Sequence, residues 1–127
     1  MGILLDTHVA IWFFTDDKRL SKSAKKIIFD LNNMIYISIA SLWEIAIKLS
    51  AGKLEFDGGI DGFIEAVYMN EFILLEISLE HIKTITVLPF IHRDPFDRII
   101  VAQAIVENMV IITTDDNIAK YDINHIW

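Results

Sequence analysis

Short runs of apolar residues alternate along this chain with longer segments in which apolar residues recur at every third or fourth position. The short runs predict β-strands at about residues 3–6, 35–37, 72–75 and 109–113. The longer segments predict helices from Thr7, after Ser21, over residues 39–50, from Ile60, from Ser78 to about Val87, from Pro95 and from Asp115. Strands that alternate with helices are typical of a layered α/β fold built on a parallel sheet.

The length of 127 residues fits one such domain, and no repeat, linker or low-complexity segment divides it. Residues 34–51 are the most apolar stretch, but Glu44 and Lys48 interrupt it and its pattern changes from strand to helix. We therefore expect no membrane-spanning helix and no membrane partner. The apolar run after Met1 is too short for a signal peptide. The absence of cysteine suits a reducing compartment, so we expect a cytoplasmic protein.

Four acidic residues come after apolar runs at points where a strand gives way to a helix, and they are Asp6, Glu44, Asp97 and Asp115. The carboxyl ends of parallel strands share one edge of a sheet, where ligand sites form. Carboxylates gathered there repel one another by roughly 3 kcal/mol per pair at about 5 Å and an effective dielectric of about 20. A divalent cation offsets this repulsion, so the four acids predict a hard-cation site and, with it, phosphate chemistry.

Each of the four acids also has a purely structural interpretation. Asp6 and Asp115 stand where helix N-caps belong, and aspartate is a good N-cap residue. Ser41 and Glu44 have the spacing of a capping box, and Asp97 lies where the helix dipole favours a negative charge. We favour the cation site, because serine caps a helix as well as aspartate does without adding charge.

Other polar residues beside the four acids have more than one interpretation. Asp94, directly before a proline, fits a helix cap better than a ligand. Asp116 is expected to point away from its acidic neighbour, and a ligand role for it stays open. Thr7 and Thr113 either hold ligands or finish turns. An isolated histidine such as His92 is more often a packed or exposed residue than a ligand.

The net charge of −7 argues against nucleic acid as a partner, because nucleic-acid binders usually carry a basic patch. The four acids supply four of these negative charges, and bound divalent cations would cancel them locally. Arg98 and Lys48 either contact a substrate phosphate or are exposed helix charges. A further basic run either forms a patch or is a solvated helix face, which we favour, and it comprises Lys18, Arg19, Lys22, Lys25 and Lys26.

Five segments in order along the chain share the motifs of a known family. They are Leu4-Leu5-Asp6-Thr7-His8, Ser41-Leu42-Trp43-Glu44-Ile45-Ala46-Ile47-Lys48, Gly52-Lys53-Leu54, His92-Arg93-Asp94-Pro95-Phe96-Asp97-Arg98 and Thr113-Thr114-Asp115. Together they resemble the PIN-domain family, and more narrowly the VapC-type toxins of bacterial type II toxin–antitoxin systems. The resemblance implies a single PIN-like domain over residues 1–127, with a central parallel sheet of four or five strands flanked by helices on both sides.

The resemblance also implies a function and a set of site residues. It implies a Mg²⁺- or Mn²⁺-dependent endoribonuclease whose partners are RNA, a cognate antitoxin and, in a homodimer, a second copy of the chain. The acidic quartet of the family falls on Asp6, Glu44, Asp97 and Asp115. We expect Asp6 and Asp97 to be the main metal ligands, with Asp115 and Glu44 holding a second ion or orienting the attacking water.

Two other functions compete with this one. The first is a phosphatase or DNA nuclease of related architecture. A phosphatase with a nucleophilic aspartate usually has a second aspartate two residues after the first, and His8 stands there instead. The second is a catalytically inactive PIN-like module that only binds proteins. Inactive versions are expected to have lost one or more acids, and this chain retains all four.

An aromatic run just after the first acid predicts a binding surface. Trp12, Phe13 and Phe14 are consecutive on the first predicted helix, and consecutive helical residues are about 100° apart, so they cannot all face one core. Trp43 and Ile47 lie on the third predicted helix. Because the chain is 54% hydrophobic, we predict a groove between these two helices that accepts an antitoxin segment, and a separate homodimer contact.

Overall fold

The computed structural model describes residues 2–127. The strands are β1 (Gly2–Leu5), β2 (Met34–Ser38), β3 (Ile73–Leu75), β4 (Val110–Ile112) and β5 (His125–Ile126). The helices are α1 (Thr7–Phe14), α2 (Lys22–Phe29), α3 (Ile39–Ser50), α4 (Gly59–Met69), α5 (Leu79–Ile85), α6 (Pro95–Glu107) and α7 (Asp116–Ala119). No helix in this range combines the length and the apolar character that crossing a membrane requires.

All of these strands belong to one parallel sheet in the order β3-β2-β1-β4-β5, so the predicted parallel α/β fold is confirmed. Strand β1 occupies the centre, where Leu4 pairs with Tyr36 of β2 on one side and with Ile111 of β4 on the other. The chain first adds β2 and β3 beside β1, and then returns to add β4 and β5 on the opposite side. Ligand crevices form at the carboxyl ends of the strands where the order reverses in this way, here beside β1 and β4.

Helices cover both faces of the sheet, as predicted. Alternate residues of a strand point to opposite faces, so Ile3 and Leu5 join one apolar core and Leu4 joins the other. The first core receives buried side chains from α1, α2, α3 and α4, and the second receives them from α6 and α7. Because β1 is buried on both faces, its end is a rigid position from which to present a side chain.

Two of the predicted helix caps are confirmed. The hydroxyl of Ser21 accepts a hydrogen bond from the backbone N–H of Ala24 at 3.0 Å, at the start of α2. The carboxylate of Asp94 accepts from the backbone N–H groups of Phe96 and Asp97 at 2.9 and 3.1 Å, at the start of α6. Asp94 therefore caps its helix, as its place before a proline predicted.

The start of α3 differs from the capping box that the sequence suggested. Ser38 is the N-cap, and its hydroxyl accepts from the backbone N–H of Ala40 at 3.0 Å. Ser41 is therefore the third residue of α3, so the capping-box interpretation of Ser41 and Glu44 is wrong. Ser41 and Glu44 both lie within α3 rather than at its start, and both are buried. The side chain of Glu44 is therefore not used to cap the helix and is available for another role.

Three features of the structure were not apparent from the sequence. Strand β3 lies at the edge of the sheet, and its Ile73 is 37% exposed. Helix α2 ends at Phe29, and Leu31 beyond it is 97% exposed. Strand β5 was not assigned, because two residues are too short to show a strand pattern.

Candidate metal centre

The candidate site lies beyond the carboxyl ends of β1 and β4, where the strand order reverses. Asp6 directly follows β1, and Thr113 and Asp115 follow β4. The register pairs Leu5 with Ile112, and the backbone N–H of Asp6 donates to the carbonyl of Ile112 at 3.1 Å. Two neighbouring parallel strands therefore deliver Asp6 and Asp115 to the same end of the sheet.

Asp6 is nearly fully buried, and its side chain makes no capping hydrogen bond to α1. Instead, the hydroxyl of Thr113 donates to Asp6 Oδ2 at 2.9 Å, so the N-cap interpretation of this side chain is wrong. Burial raises the pKa of Asp6, the Thr113 hydrogen bond and nearby His8 lower it, and the charge of Asp115 raises it further. Burying a carboxylate that does not cap a helix costs folding free energy, and a bound cation would offset that cost.

Asp115 does act as a helix cap. Its Oδ1 accepts from the backbone N–H groups of Asn117 and Ile118 at 2.8 and 3.3 Å, at the start of α7. The backbone N–H of Asp115 donates to the Thr113 hydroxyl at 2.9 Å, and that hydroxyl in turn donates to Asp6. Thr113 therefore links the two acids, while the cap engages one oxygen of Asp115.

Asp97 lies in the first turn of α6, on the face of the sheet opposite to α1. Its Oδ2 is 3.0 Å from Nε2 of His92. The pKa of Asp97 is raised to about 7, chiefly by burial and further by the negative charges of Asp94, Asp6 and Asp115. The hydrogen bond with His92 acts in the opposite direction and lowers this pKa. Asp6 and Asp115 are therefore near enough for their charges to act on Asp97.

Glu44 is buried in α3, and its Oε2 lies 3.2 Å from Nζ of Lys48. Its Oε1 is also buried and has no hydrogen-bond partner within residues 2–127. Ser41, one turn earlier on α3, accepts a hydrogen bond from the hydroxyl of Thr7 at 2.8 Å. Because Thr7 follows Asp6, this bond ties the helix that carries Glu44 to the start of α1. Glu44 thus keeps one oxygen unpartnered, although Lys48 balances its charge.

The structure places Asp6 and Asp115 near enough to Asp97 for their charges to affect its pKa, and it pairs Glu44 with Lys48. Within residues 2–127, no three His, Asp or Glu side chains converge closely enough to form a complete metal cage. Mg²⁺ does not require such a cage, because it commonly binds one or two carboxylates and retains several waters. Hard oxygen donors and uncompensated negative charge therefore fit Mg²⁺ or Mn²⁺, and they do not fit a soft metal.

The residues considered for phosphate contact, Arg98 and Lys48, both make polar contacts with other groups of the protein. Arg98 is buried and donates to the carbonyl of Pro89 and to the hydroxyl of Tyr121, both at 3.0 Å. It is therefore neither an exposed helix charge nor a group that faces a substrate. Lys48 is the ion-pair partner of its helix neighbour described above. Asp116 is exposed at the first position of α7 and stays outside the cluster of acids.

Sequence reasoning underestimated His92 and missed Tyr121. The ring of His92 bridges Asp97 and the Tyr121 hydroxyl, at 3.0 and 2.8 Å, whereas His8 is exposed. The available signal was the position of His92 five residues before Asp97 in one motif. Nothing near Tyr121 in the sequence indicated its role, because 29 positions separate it from His92.

The aromatic run of α1 is only partly open to the surface. Trp12, Phe13 and Phe14 are all half-buried, and the rings of Phe13 and Phe14 pack on Phe72 with centroids 5.5 and 5.7 Å apart. Phe13 and Phe14 also line a cavity of about 350 Å³ beside α2 and α4. A separate apolar groove of about 280 Å³ lies between α3, α5 and α6. Trp43 lines this groove and is 60% exposed, so it is the part of the predicted surface that faces outward.

The fold is that of an α/β protein with a doubly wound parallel sheet, and acidic side chains lie at the point where the strand order reverses. The PIN domain family model matches residues 3–124, and the chain belongs to this family. The predicted membership is therefore confirmed. No curated protein matches the sequence.

Solved structures of VapBC complexes contain chains with the same fold. VapBC2 from Rickettsia felis bound to a DNA fragment from their promoter matches with a TM-score of 0.74 and 15% identity, over 99% of this chain and 98% of that chain. DNA-bound VapBC from Salmonella typhimurium matches with a TM-score of 0.71 and 16% identity, over 99% and 97%. VapBC-1 from nontypeable Haemophilus influenzae matches with a TM-score of 0.69 and 18% identity, over 99% and 97%.

Proposed function

We propose that this protein is the toxin of a toxin–antitoxin pair and hydrolyses phosphodiester bonds of RNA as a Mg²⁺- or Mn²⁺-dependent endoribonuclease. Membership of the PIN-domain family and the fold shared with chains of VapBC complexes support the toxin assignment. The acidic site supports hydrolysis with a divalent cation, because carboxylates bind such a cation and the cation can activate water and neutralise charge on the phosphodiester.

One observation carries the proposal, and it is the lack of a lysine or arginine counter-charge at the site. The charges of Asp6 and Asp115 act on Asp97 near the reversal point of the sheet, yet no lysine or arginine within residues 2–127 forms an ion pair with any of these three acids. Partly buried carboxylates that lie near one another reduce the stability of the folded protein unless a cation offsets their charge. Helix capping accounts for the contacts of one oxygen of Asp115, but it does not account for the buried side chain of Asp6.

We assign the roles at the site from the contacts of each acid. Asp6 and Asp97 would hold the cation, and the hydrogen bond from Thr113 orients Asp6. Asp115 and Glu44 would hold a second ion or orient the attacking water, for which Glu44 offers its unpartnered Oε1. A bound divalent cation lowers the pKa of water and neutralises charge on the phosphate.

We also propose two protein partners, a cognate antitoxin and a second copy of this chain. The structural neighbours are described as VapBC complexes, which supports the antitoxin as partner. Exposed apolar side chains on α3, α5 and the segment after α5 support protein contacts, since such groups rarely cluster on a monomer without a role. The largest of them include Trp43, Ile47, Leu79, Ile82, Val87 and Phe90.

Purified protein without antitoxin is expected to cleave RNA in Mg²⁺ or Mn²⁺ and to leave it intact in EDTA. A panel of structured and single-stranded RNAs, resolved on sequencing gels, measures this, because target choice in such an enzyme can be narrow. Matched DNA strands and a phosphomonoester serve as controls for the two related activities. Cleavage that continues unchanged in EDTA, or cleavage of the DNA and phosphomonoester alone, would contradict the proposal.

Expression of the protein in cells is expected to stop growth, and co-expression of its cognate antitoxin is expected to restore it. The Asp6→Ala variant should be harmless at equal abundance, because it lacks a ligand of the cation. Growth curves and immunoblots measure both quantities. Growth arrest that persists in a folded Asp6→Ala variant would favour the inactive protein-binding module over the nuclease.

A further inference from the structure

A chain of hydrogen bonds connects Asp97 to the interior of the protein. Nη1 of Arg98 lies 3.0 Å from the hydroxyl of Tyr121, and that hydroxyl lies 2.8 Å from Nδ1 of His92. Nε2 of His92 lies 3.0 Å from Oδ2 of Asp97. These contacts run from Arg98 in α6 to Tyr121 just after α7, then to His92 before α6, and back to Asp97 in α6. The four side chains therefore form one connected unit.

The direction of the first bond in this chain is fixed by chemistry. A guanidinium only donates hydrogen bonds, so Arg98 donates to the oxygen of Tyr121. The tyrosine hydroxyl can then give its one hydrogen to Nδ1 of a neutral His92, and this arrangement places the N–H of the ring at Nε2. In that tautomer, His92 donates from Nε2 to the carboxylate of Asp97.

The far end of the chain is anchored in the core. Arg98 is 7% exposed and also donates to the carbonyls of Pro89 and Ile85, at 3.0 and 3.5 Å. Its guanidinium lies over the ring of Phe90, 4.6 Å from the ring centroid. Tyr121 is 4% exposed and belongs to the apolar core that α6 and α7 share. A chain anchored in this way has little freedom to rotate at its outer end.

We propose that His92, held by Tyr121 and Arg98, is a positioning residue that fixes which oxygen of Asp97 meets the cation. The hydrogen bond from His92 engages Oδ2 and directs Oδ1 toward the site. This inference rests on the proposed function only in taking Asp97 as a ligand of the cation. Partners that orient a ligand in this way are worth about 10- to 100-fold in metal affinity or activity.

The first test needs no substitution at the site and no metal. Nitrogen-15 NMR of histidine-labelled, metal-free protein reports which ring nitrogen of His92 carries the hydrogen, with the His92→Gln variant used to assign the signal. The wild type is expected to show the Nε2–H tautomer, and Tyr121→Phe is expected to lose this preference because Nδ1 loses its donor. A wild-type His92 with its hydrogen on Nδ1, or a Tyr121→Phe spectrum unchanged at this ring, would overturn the inference.

The second test measures Mn²⁺ affinity by calorimetry on folded variants. His92→Phe keeps an aromatic ring and is expected to weaken Mn²⁺ binding by about 10- to 100-fold. His92→Gln is expected to recover most of that loss, because its amide can donate to Asp97 and accept from Tyr121. Equal affinity in the wild type and His92→Phe would overturn the positioning role alone. Absence of Mn²⁺ binding in the wild type would overturn the proposed function and this inference together.

Discussion

Replacing Asp6 or Asp97 with asparagine is expected to reduce RNA cleavage by about 100-fold or more, since even the partners of metal ligands are worth about 10- to 100-fold. Asparagine has nearly the same shape as aspartate, and its oxygen can accept the hydrogen bond of Thr113 at position 6 or that of His92 at position 97. The substitution therefore removes the charge that a cation requires and little else. Initial cleavage rates at saturating Mn²⁺, divided by the concentration of folded protein, measure the effect.

The matched control for these variants is Asp116→Asn. Asp116 is exposed beside Asp115 and lies outside the cluster, so it tests the loss of one negative charge near the site without the loss of a ligand. This control is expected to cleave RNA at a rate within about twofold of the wild type, as surface substitutions away from special features usually have small effects. Equal rates in Asp6→Asn, Asp97→Asn and the control would show that the chemistry is elsewhere.

Binding of Mg²⁺ or Mn²⁺ is expected to raise the melting temperature of the wild type by roughly 10 °C at a metal concentration of about 100 times Kd. A ligand that binds only the folded state contributes about 2.7 kcal/mol at that concentration. For a domain of this size, each kcal/mol shifts the melting temperature by roughly 3 to 5 °C. Differential scanning fluorimetry with and without metal measures the shift.

The double variant Asp6→Asn/Asp97→Asn is expected to lose this metal response and to melt at or above the temperature of the metal-free wild type. The second effect follows from burial, because both carboxylates are held where a negative charge is unfavourable, and the neutral amide removes that charge. A pair of acids kept only for structure would instead leave the double variant less stable than the wild type. A double variant with the full metal response would place the cation elsewhere.

The positions of the acids could be predicted from the sequence because each follows a strong local pattern. Asp6 ends an uninterrupted apolar run, and Asp94 precedes a proline, which an α-helix tolerates only in its first turn. The parallel character of the sheet also followed from the alternation of strands and helices. Local spacing was misleading at Ser41, because the N-cap of α3 is Ser38, three residues earlier.

The relations between the acids could not be predicted, because they depend on strand order. Ile3 pairs with Val110, and Thr113 reaches Asp6 across 107 positions, which no local pattern encodes. The same holds for Tyr121, whose hydroxyl meets residues far from it in the sequence. Arg98 was misjudged for a related reason. The sequence shows that Arg98 is a charged residue on a helix. It does not show which backbone carbonyls accept hydrogen bonds from Arg98, because these carbonyls belong to an earlier segment of the chain.

The central claim is that Asp6 and Asp97 hold a divalent cation at the reversal point of the sheet. The most direct measurement is an anomalous difference map from a crystal soaked in Mn²⁺, recorded for the wild type and for Asp6→Asn/Asp97→Asn. The account predicts a Mn²⁺ peak within coordination distance of Asp6 and Asp97 in the wild type, near Asp115, and no peak there in the variant. A strong peak elsewhere on the protein, with none between these two carboxylates, would contradict it.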